Sequence, residues 1–428
     1  MFRLKHICYI ENNKMLHMYV TNTLNCKAVL FFVKYINMNN NIISAVVEII
    51  NNVQTKGDSV VINYLKKFDG VSFKSAKEFK VTDKQINDSI KKVSADLKTA
   101  IKSSYANVLA FHKKEYSNIK KQWFLTDKVK SVGQIYRPIE SVGIYVPGGR
   151  FSYPSSVIMN AVAAKVAGVK RIVMMTPPKK MTNEVLFAAK LCGINEIYTI
   201  GGAVAVAALA YGTKTIKPVN MIVGPGNAYV NEAKRLVFGK VGIDSLAGPS
   251  EVAVVADSGA NKDYVLYDLL AQCEHDTMAK AYLLCSSKET VNYIKKNIDK
   301  EKLNQIKIYN VDTNKAIDMV NDIAPEHLEL LIKNAKQAVK KVYNSGAIFV
   351  GYNTATAVGD YWAGPSHVLP TNASAKYSSG LSVMTFLKRS SYIELKTVTN
   401  KIKKDIADFA NSEGLINHKK SIEVRKTK

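Results

Sequence analysis

Apolar residues first recur on a helical period from Asn41, where Ile42, Val46, Ile49, Ile50 and Val53 fall on one stripe. The stripe stops at Gly57 and restarts from the cap candidate Asp58. A capping box, Thr82-x-x-Gln85, opens a longer predicted helix with Ile86, Ile90, Val93, Leu97 and Ile101 on its apolar face. Residues 38–140 are therefore expected to be helical and to pack on the second of two α/β domains. Residues 1–37 mix His, Lys, Asn and apolar residues without a period, which makes Met38 a candidate start of translation, the alternative being an ordered N-terminal extension.

From Ser141 the texture changes. Short apolar runs at 141–146, 171–176, 196–200 and 220–223 predict strands, alternating with helical stretches at 156–169, 183–191, 203–211 and 227–238. A second series follows Gly248-Pro249-Ser250, with strands at 251–256, 281–285 and 347–350. Alternation at this spacing predicts right-handed crossovers and an α/β fold of two doubly wound, mostly parallel-sheet domains, spanning 141–247 and 248–385. Residues 386–428 form a Lys-rich C-terminal tail. No Gly-x-Gly-x-x-Gly fingerprint opens either series. Gly148-Gly149, Gly201-Gly202 and Gly224-Pro225-Gly226-Asn227 do close strands, where an open α/β sheet places ligands. From spacing alone, a turn is the commoner meaning of glycine there.

Composition narrows the classes. The chain has 428 residues, enough for two or more domains, and a hydrophobic share of 47%, that of a globular protein. Its net charge of +25 comes from 53 Lys and only 7 Arg, scattered along the chain. A nucleic-acid surface favours clustered Arg with aromatic platforms, so no specific nucleic-acid partner is expected. Cys8, Cys26, Cys192, Cys273 and Cys285 form no Cys-x-x-Cys pair and no even framework, a reducing-compartment pattern. No apolar run approaches the roughly 20 residues of a membrane span. The run at 28–33 is too short for a signal peptide, so a cytoplasmic protein is expected.

Candidate chemistry gathers in four stretches. Leu269-Leu270-Ala271-Gln272-Cys273-Glu274-His275-Asp276 reads as a helix end on which Gln272 and His275, three apart, project from one face. Imidazole suits zinc, and an amide oxygen is a harder, rarer ligand. Alone, such a pair is more often a helix end with an ordinary histidine. Beyond the helix-breaking Pro325, Glu326 and His327 form an acid/base pair in principle. Asp360 and His367 share a Gly/Pro-rich loop, and Glu413 and His418 lie in the tail. Jointly these stretches point to a metal or acid/base centre.

Several long runs are specific enough to identify a relative. They include Val142-Gly143-Ile144-Tyr145-Val146-Pro147-Gly148-Gly149, Tyr153-Pro154-Ser155-Ser156 and Gly224-Pro225-Gly226-Asn227-Ala228-Tyr229-Val230. Ala247-Gly248-Pro249-Ser250-Glu251, Ala324-Pro325-Glu326-His327-Leu328-Glu329-Leu330, His367-Val368-Leu369-Pro370-Thr371 and Ser378-Ser379-Gly380-Leu381-Ser382 complete the set. From about residue 41 to its end the chain resembles the histidinol dehydrogenase family.

That resemblance implies two successive NAD-dependent oxidations, from L-histidinol through L-histidinal to L-histidine, at the last step of histidine biosynthesis. It implies one zinc per site, held by Gln272, His275, Asp360 and His418, with Glu326 and His327 as the catalytic pair. Substrate contacts would come from Ser250, His327, His367 and Glu413 together with the ligands, and NAD contacts from Tyr145, Asn227 and position 204. An incomplete Rossmann-like topology is implied for both domains. The tail would cross to a neighbouring subunit of a homodimer, so that Glu413 and His418 complete the other protomer's site.

The chemistry fits these residue types. A neutral imidazole at His327 can take the alcohol proton as hydride leaves, and Glu326 can activate the water that adds to the aldehyde. Three departures stand out. Val204 replaces the Gln of the usual Gly-Gly-Ala-Gln run, which predicts weaker NAD binding; Ser366 replaces a common Asn; and Asn372-Ala373-Ser374 replaces a Gly-rich turn. A non-catalytic dimeric relative and a dehydrogenase of another amino alcohol remain as rival readings, and substrate profiling separates the second because fold and cofactor would be shared.

Overall fold

The computed structural model describes residues 4–11, 14–21, 26–148 and 153–427, with the backbone alone described for residues up to 39 and for His275. A hairpin of β1 (Leu4–Glu11) and β2 (Lys14–Thr21) precedes helix α1 (Cys26–Lys56), which begins well before the periodic stripe at Asn41. Gly57, at φ 58, turns the chain into α2 (Asp58–Tyr64). The capping box forms as expected at α3 (Asp83–Lys92): the Gln85 N–H donates to Thr82 Oγ1 at 3.2 Å and the Thr82 N–H to Gln85 Oε1 at 2.8 Å. The helix does not run on through Ile101. Ser94 adopts extended backbone and accepts from the Leu97 N–H at 3.3 Å, capping a separate α4 (Ala95–Ser117). The prediction of an all-helical 38–140 also misses β3 (Gln122–Thr126) and β4 (Lys130–Pro138).

The first α/β unit runs β5 (Ser141–Tyr145), α5 (Pro154–Ala167), β6 (Arg171–Met175), α6 (Asn183–Cys192), β7 (Glu196–Tyr198), α7 (Gly202–Tyr211), β8 (Met221–Val223), α8 (Ala228–Val237), β9 (Gly242–Ile243). The second runs β10 (Glu251–Ala256), α9 (Lys262–His275), β11 (Lys280–Cys285), α10 (Lys288–Asn297), β12 (Ile306–Asn310), α11 (Thr313–Ile323), β13 (His327–Leu331), α12 (Ala335–Ala338), β14 (Ala347–Val350). Both make five-stranded parallel sheets, in the orders β7-β6-β5-β8-β9 and β12-β11-β10-β13-β14. Each follows the Rossmann-like order short of its sixth strand, with the reversal between its first and fourth strands. After them come α13 (Thr356–Tyr361), β15 (Leu387–Leu395), α14 (Asn400–Ser412) and α15 (Ile416–Glu423). Strand β15 returns to pair with β4 in a three-stranded antiparallel sheet with β3.

The N-terminal helices pack on the first α/β unit, not on the second as expected: α1 lies against α7 and α8, α3 against α6, and α4 against α5. The reason lies in α7, where residues 203–210 are all buried and so need cover on every side. The α1 stripe of Val46, Ile49, Ile50 and Val53 supplies part of it in one shared core. Contact with residues of the second domain includes Asn107 Nδ2 donating to the Trp362 carbonyl at 2.8 Å and Glu115 Oε2 accepting from the Val383 N–H at 3.1 Å. Among the described residues no helix is long and apolar enough to cross a membrane.

Candidate active site

A cleft of about 1550 Å³ separates the two sheets, lined by the C-terminal ends of the first sheet's strands and the N-terminal ends of the second's. Tyr145, ending β5, and Gly224-Pro225-Gly226-Asn227, following β8, flank the point where the first strand order reverses. The two loops touch: a Cβ on Gly224, whose φ is 110, would come 2.1 Å from the Tyr145 carbonyl oxygen. The Tyr145 hydroxyl accepts from the Gly202 N–H at 3.1 Å, and burial pushes the phenol up to about 12, so it stays neutral. Asn227 caps α8, its Oδ1 accepting from the Val230 N–H at 3.1 Å. Val204 is buried in the first turn of α7 and lines the cleft. Helices α7 and α8 both begin at this wall, with the positive end of the dipole toward the cleft.

A clamp absent from the sequence reading holds the Gly224 turn. Lys234 of α8 is wholly buried, pairs with Asp244, and donates to the Gly224 carbonyl at 3.0 Å. Asp244 Oδ2 in turn accepts from the Gly224 N–H at 2.7 Å. The clue is positional: Lys234 falls on the same helical stripe as the buried Val230, Ala233 and Val237.

The opposite wall carries the acid/base pair. Glu326 ends the loop into β13 and His327 begins the strand; both are buried. Glu326 Oε2 accepts from the Glu251 N–H at 3.1 Å and is also hydrogen-bonded by Ser250. Burial, reinforced by the Asp360 and Glu251 carboxylates, pushes the Glu326 carboxyl up to about 8 despite those donors. His327 Nδ1 lies 3.3 Å from the Glu251 carbonyl oxygen, 3.6 Å from Glu326 Oε2, and its Nε2 4.0 Å from Asp360 Oδ1. A carbonyl can only accept, so Nδ1 carries the hydrogen in the neutral ring and Nε2 is the basic nitrogen. Asp360 sits on α13, and Ser250 and His367 line the same cleft.

The expected metal ligands are not brought together among the described residues of one chain: Asp360 lines the cleft, while Gln272 and His418 do not. Gln272 is buried near the end of α9, and its Nε2 has no hydrogen-bond partner among the described residues; an amide turned over presents its oxygen at that point. His275 ends α9, but its side chain lies outside the described residues, as does Gly149 of the Pro-Gly-Gly loop. Glu413 and His418 do not line the cleft; they share a separate hollow of about 350 Å³ with Phe409 on the helices α14 and α15. Among the described residues no three His, Cys, Asp or Glu side chains stand close enough to hold a metal ion. The donor types nonetheless fit zinc: an unmet amide at Gln272, and a carboxylate at Asp360 beside an imidazole.

Two departures noted in the sequence have structural consequences. Asn372 and Ala373, where a Gly-rich turn is usual, both adopt left-handed backbone, at φ 53 and 60. The neighbouring contacts fix that turn, since the Gly248 N–H donates to Thr371 Oγ1 at 2.5 Å and the Asn372 N–H to Glu251 Oε2 at 3.2 Å. Ser366 is buried, and its hydroxyl accepts from the Val368 N–H at 3.2 Å, closing a tight turn around His367.

Comparison with known proteins accords with this geometry. The family model described as histidinol dehydrogenase matches residues 34–426. Histidinol dehydrogenase of Streptococcus mutans is 47% identical over 312 residues, covering 69% of this chain and 73% of that protein. That of Pelagibacter ubique is 49% identical over 323 residues, covering 70% and 74%. The crystal structure of histidinol dehydrogenase from Elizabethkingia anophelis superposes with a TM-score of 0.82 at 33% identity, over 89% of this chain and 91% of that one. With its two parallel sheets and the Glu326–His327 pair between them, the chain belongs to the histidinol dehydrogenase family, oxidoreductases of histidine biosynthesis.

Proposed function

We propose that the chain oxidises L-histidinol through L-histidinal to L-histidine, passing two hydrides in turn to NAD, with one zinc ion per site. The observation that carries this reading is the buried Glu326–His327 pair, directly across the cleft from the glycine-rich strand ends of the first sheet. The dinucleotide's pyrophosphate suits the beginnings of α7 and α8, beside Tyr145, Asn227 and Val204. Zinc, held by Gln272, His275, Asp360 and His418, would supply a Lewis-acidic anchor for the substrate's imidazole and amine. Ser250, His367 and Glu413 would complete the substrate contacts.

His327 Nε2 accepts the hydroxyl proton as the carbinol hydride departs, with Glu251 orienting the ring through its carbonyl. In the second half-reaction Glu326, held by the Glu251 N–H in a buried site that tunes it toward neutrality, removes the proton from the water that adds to the aldehyde. Glu413 and His418 stand off this chain's own cleft, which supports a homodimer in which each tail reaches the partner's site. The cysteine pattern supports a cytoplasmic location.

The test is NAD reduction by L-histidinol, with protein stripped by a chelator and then restored with zinc. Zinc-dependent release of two NADH per histidinol is expected, with His327→Asn slowing the first oxidation and Glu326→Gln the oxidation of added aldehyde. Absence of NADH at saturating NAD and restored zinc, while another amino alcohol is oxidised, would overturn the substrate assignment.

A further inference from the structure

Behind the acid/base pair lies a buried carboxyl group that the reaction does not use. Glu329 follows His327 by two positions on β13, on the same face of the strand, and is 0% exposed. Its Oε1 accepts from the Thr356 N–H at 2.7 Å and from the Thr356 hydroxyl at 2.6 Å. Thr356 is the first residue of α13, and Asp360 stands one helical turn further on. The other oxygen, Oε2, is buried and receives no backbone N–H, amide or alcohol donor from any described residue.

The group beside Glu329 is the carboxyl of Asp268, with which it is hydrogen-bonded. Asp268 lies on α9 four residues before Gln272, so the two project from one face of that helix. Two carboxyl groups in contact with no other donor between them share one proton, the neutral acid donating to the carboxylate. Burial first, and then the Asp268 charge, pushes Glu329 up to about 8, which agrees with a proton resident there.

We infer that Glu329 and Asp268 are positioning residues, a proton-sharing pair that fixes the helix bearing Gln272, the strand bearing His327 and the helix bearing Asp360 in one arrangement. One carboxyl thus anchors the start of α13 and the middle of α9 to strand β13. Movement of any one of these elements would spread the ligands. Partners of this kind, one step removed from a metal, set its affinity more than the fold's stability. The inference rests on the zinc reading proposed above.

The experiment is a zinc titration of the chelator-stripped full-length protein against a chromophoric chelator, alongside kcat and KM for L-histidinol. The variants are Glu329→Gln, Glu329→Leu and Val320→Ala, the last removing buried volume from the same domain away from the pair. In Glu329→Gln the amide oxygen still accepts from Thr356 and the amide N–H replaces the shared proton, so zinc affinity should stay within about threefold of wild type. Glu329→Leu should weaken zinc by about 10- to 100-fold, with a raised KM. Should that variant not fold, Asp268→Leu, at the less buried end of the pair, makes the same separation.

Equal zinc affinity in Glu329→Leu and wild type would overturn the inference. So would an equal loss in Val320→Ala, since that would reduce the effect to general destabilisation. Wild-type protein that takes up no zinc would instead overturn the zinc reading itself, a result distinguishable from both.

Discussion

Lys234→Met tests whether the buried clamp on the Gly224 turn is an energetic commitment or an incidental contact. Methionine keeps the apolar stem of lysine but removes the ammonium, which pairs with Asp244 with the two side chains only 1% and 4% exposed. What remains is a buried carboxylate without its counter-charge and a Gly224 carbonyl without its 3.0 Å donor. Breaking one side of a buried pair costs about 3–5 kcal/mol, because the surviving charge stays desolvated. Replacing both, as Lys234→Met with Asp244→Asn, removes that charge, and the asparagine oxygen can still accept from the Gly224 N–H. The double variant should then lose only about 1–2 kcal/mol, the share of one unmet buried carbonyl. It should therefore be more stable than the single one, a reversal that independent sites cannot give. Urea midpoints followed by circular dichroism would show the order, and NAD titration of the double variant should give weaker binding because the turn has lost the donor to its carbonyl. A single variant that loses less than about 1 kcal/mol, or a double variant no better than the single, would refute the reasoning.

Further predictions address other parts of the chain. Val204→Gln restores the polar side chain that the resemblance expects in the first turn of α7; one added hydrogen bond of about 1 kcal/mol should tighten NAD roughly fivefold. A gain below about twofold in a calorimetric titration would sink that account of position 204. Ala373→Gly should stabilise the protein, since left-handed backbone at φ 60 costs a non-glycine residue roughly 1–2 kcal/mol and the glycine's extra unfolded entropy returns roughly 0.4–1 of it. A lower urea midpoint for that variant would show that the turn is not strained. Glu196 is raised by burial but held below the ordinary carboxylate range on balance by Arg171, which donates to it at 2.8 and 2.7 Å. A carboxyl with a depressed folded pKa lends stability above its unfolded value of about 4.3 and loses it as pH falls through the folded value. Wild type should thus be more stable than Glu196→Gln near neutrality, with the difference closing in acid; a difference that persists unchanged in acid melts would argue against the ion pair.

Much of the fold was legible in periodicity. The strand-helix alternation from Ser141, the Thr82-Gln85 box and the glycine turns after β7 and β8 each follow from local rules, and each lies where those rules put it. What escaped reading did so for physical reasons. Strand β13, at the reversal point of the second sheet, is wholly buried yet carries His327 and Glu329, and those polar residues hide an apolar run. Function and local consistency conflict there, as they do at Lys234, a charge on an apolar stripe. The seat of α1 on α7 and α8 was not readable either, because two apolar faces say that they need cover but not which cover they take.

The two sheets share one strand order but present opposite edges to the cleft, and this gives its walls opposite polarity. At the first sheet's C-terminal edge, helices begin: α7 and α8 turn N–H groups and positive dipole ends toward the site, which favours a phosphate. At the second sheet's N-terminal edge, helices end: α9 stops at His275 and α11 just before Glu326, so carbonyls and negative dipole ends gather there. Carboxylates cluster on that wall as well, in Glu251, Glu326 and Asp360, and burial together with the other two raises the proton affinity of Glu326. The dinucleotide and the metal ion proposed above would thereby be drawn to facing walls. Swapping the orientation of either sheet would bring like polarities together, so the chemistry proposed for this family member depends on the reversed pairing of two otherwise equivalent folds as much as on any one side chain.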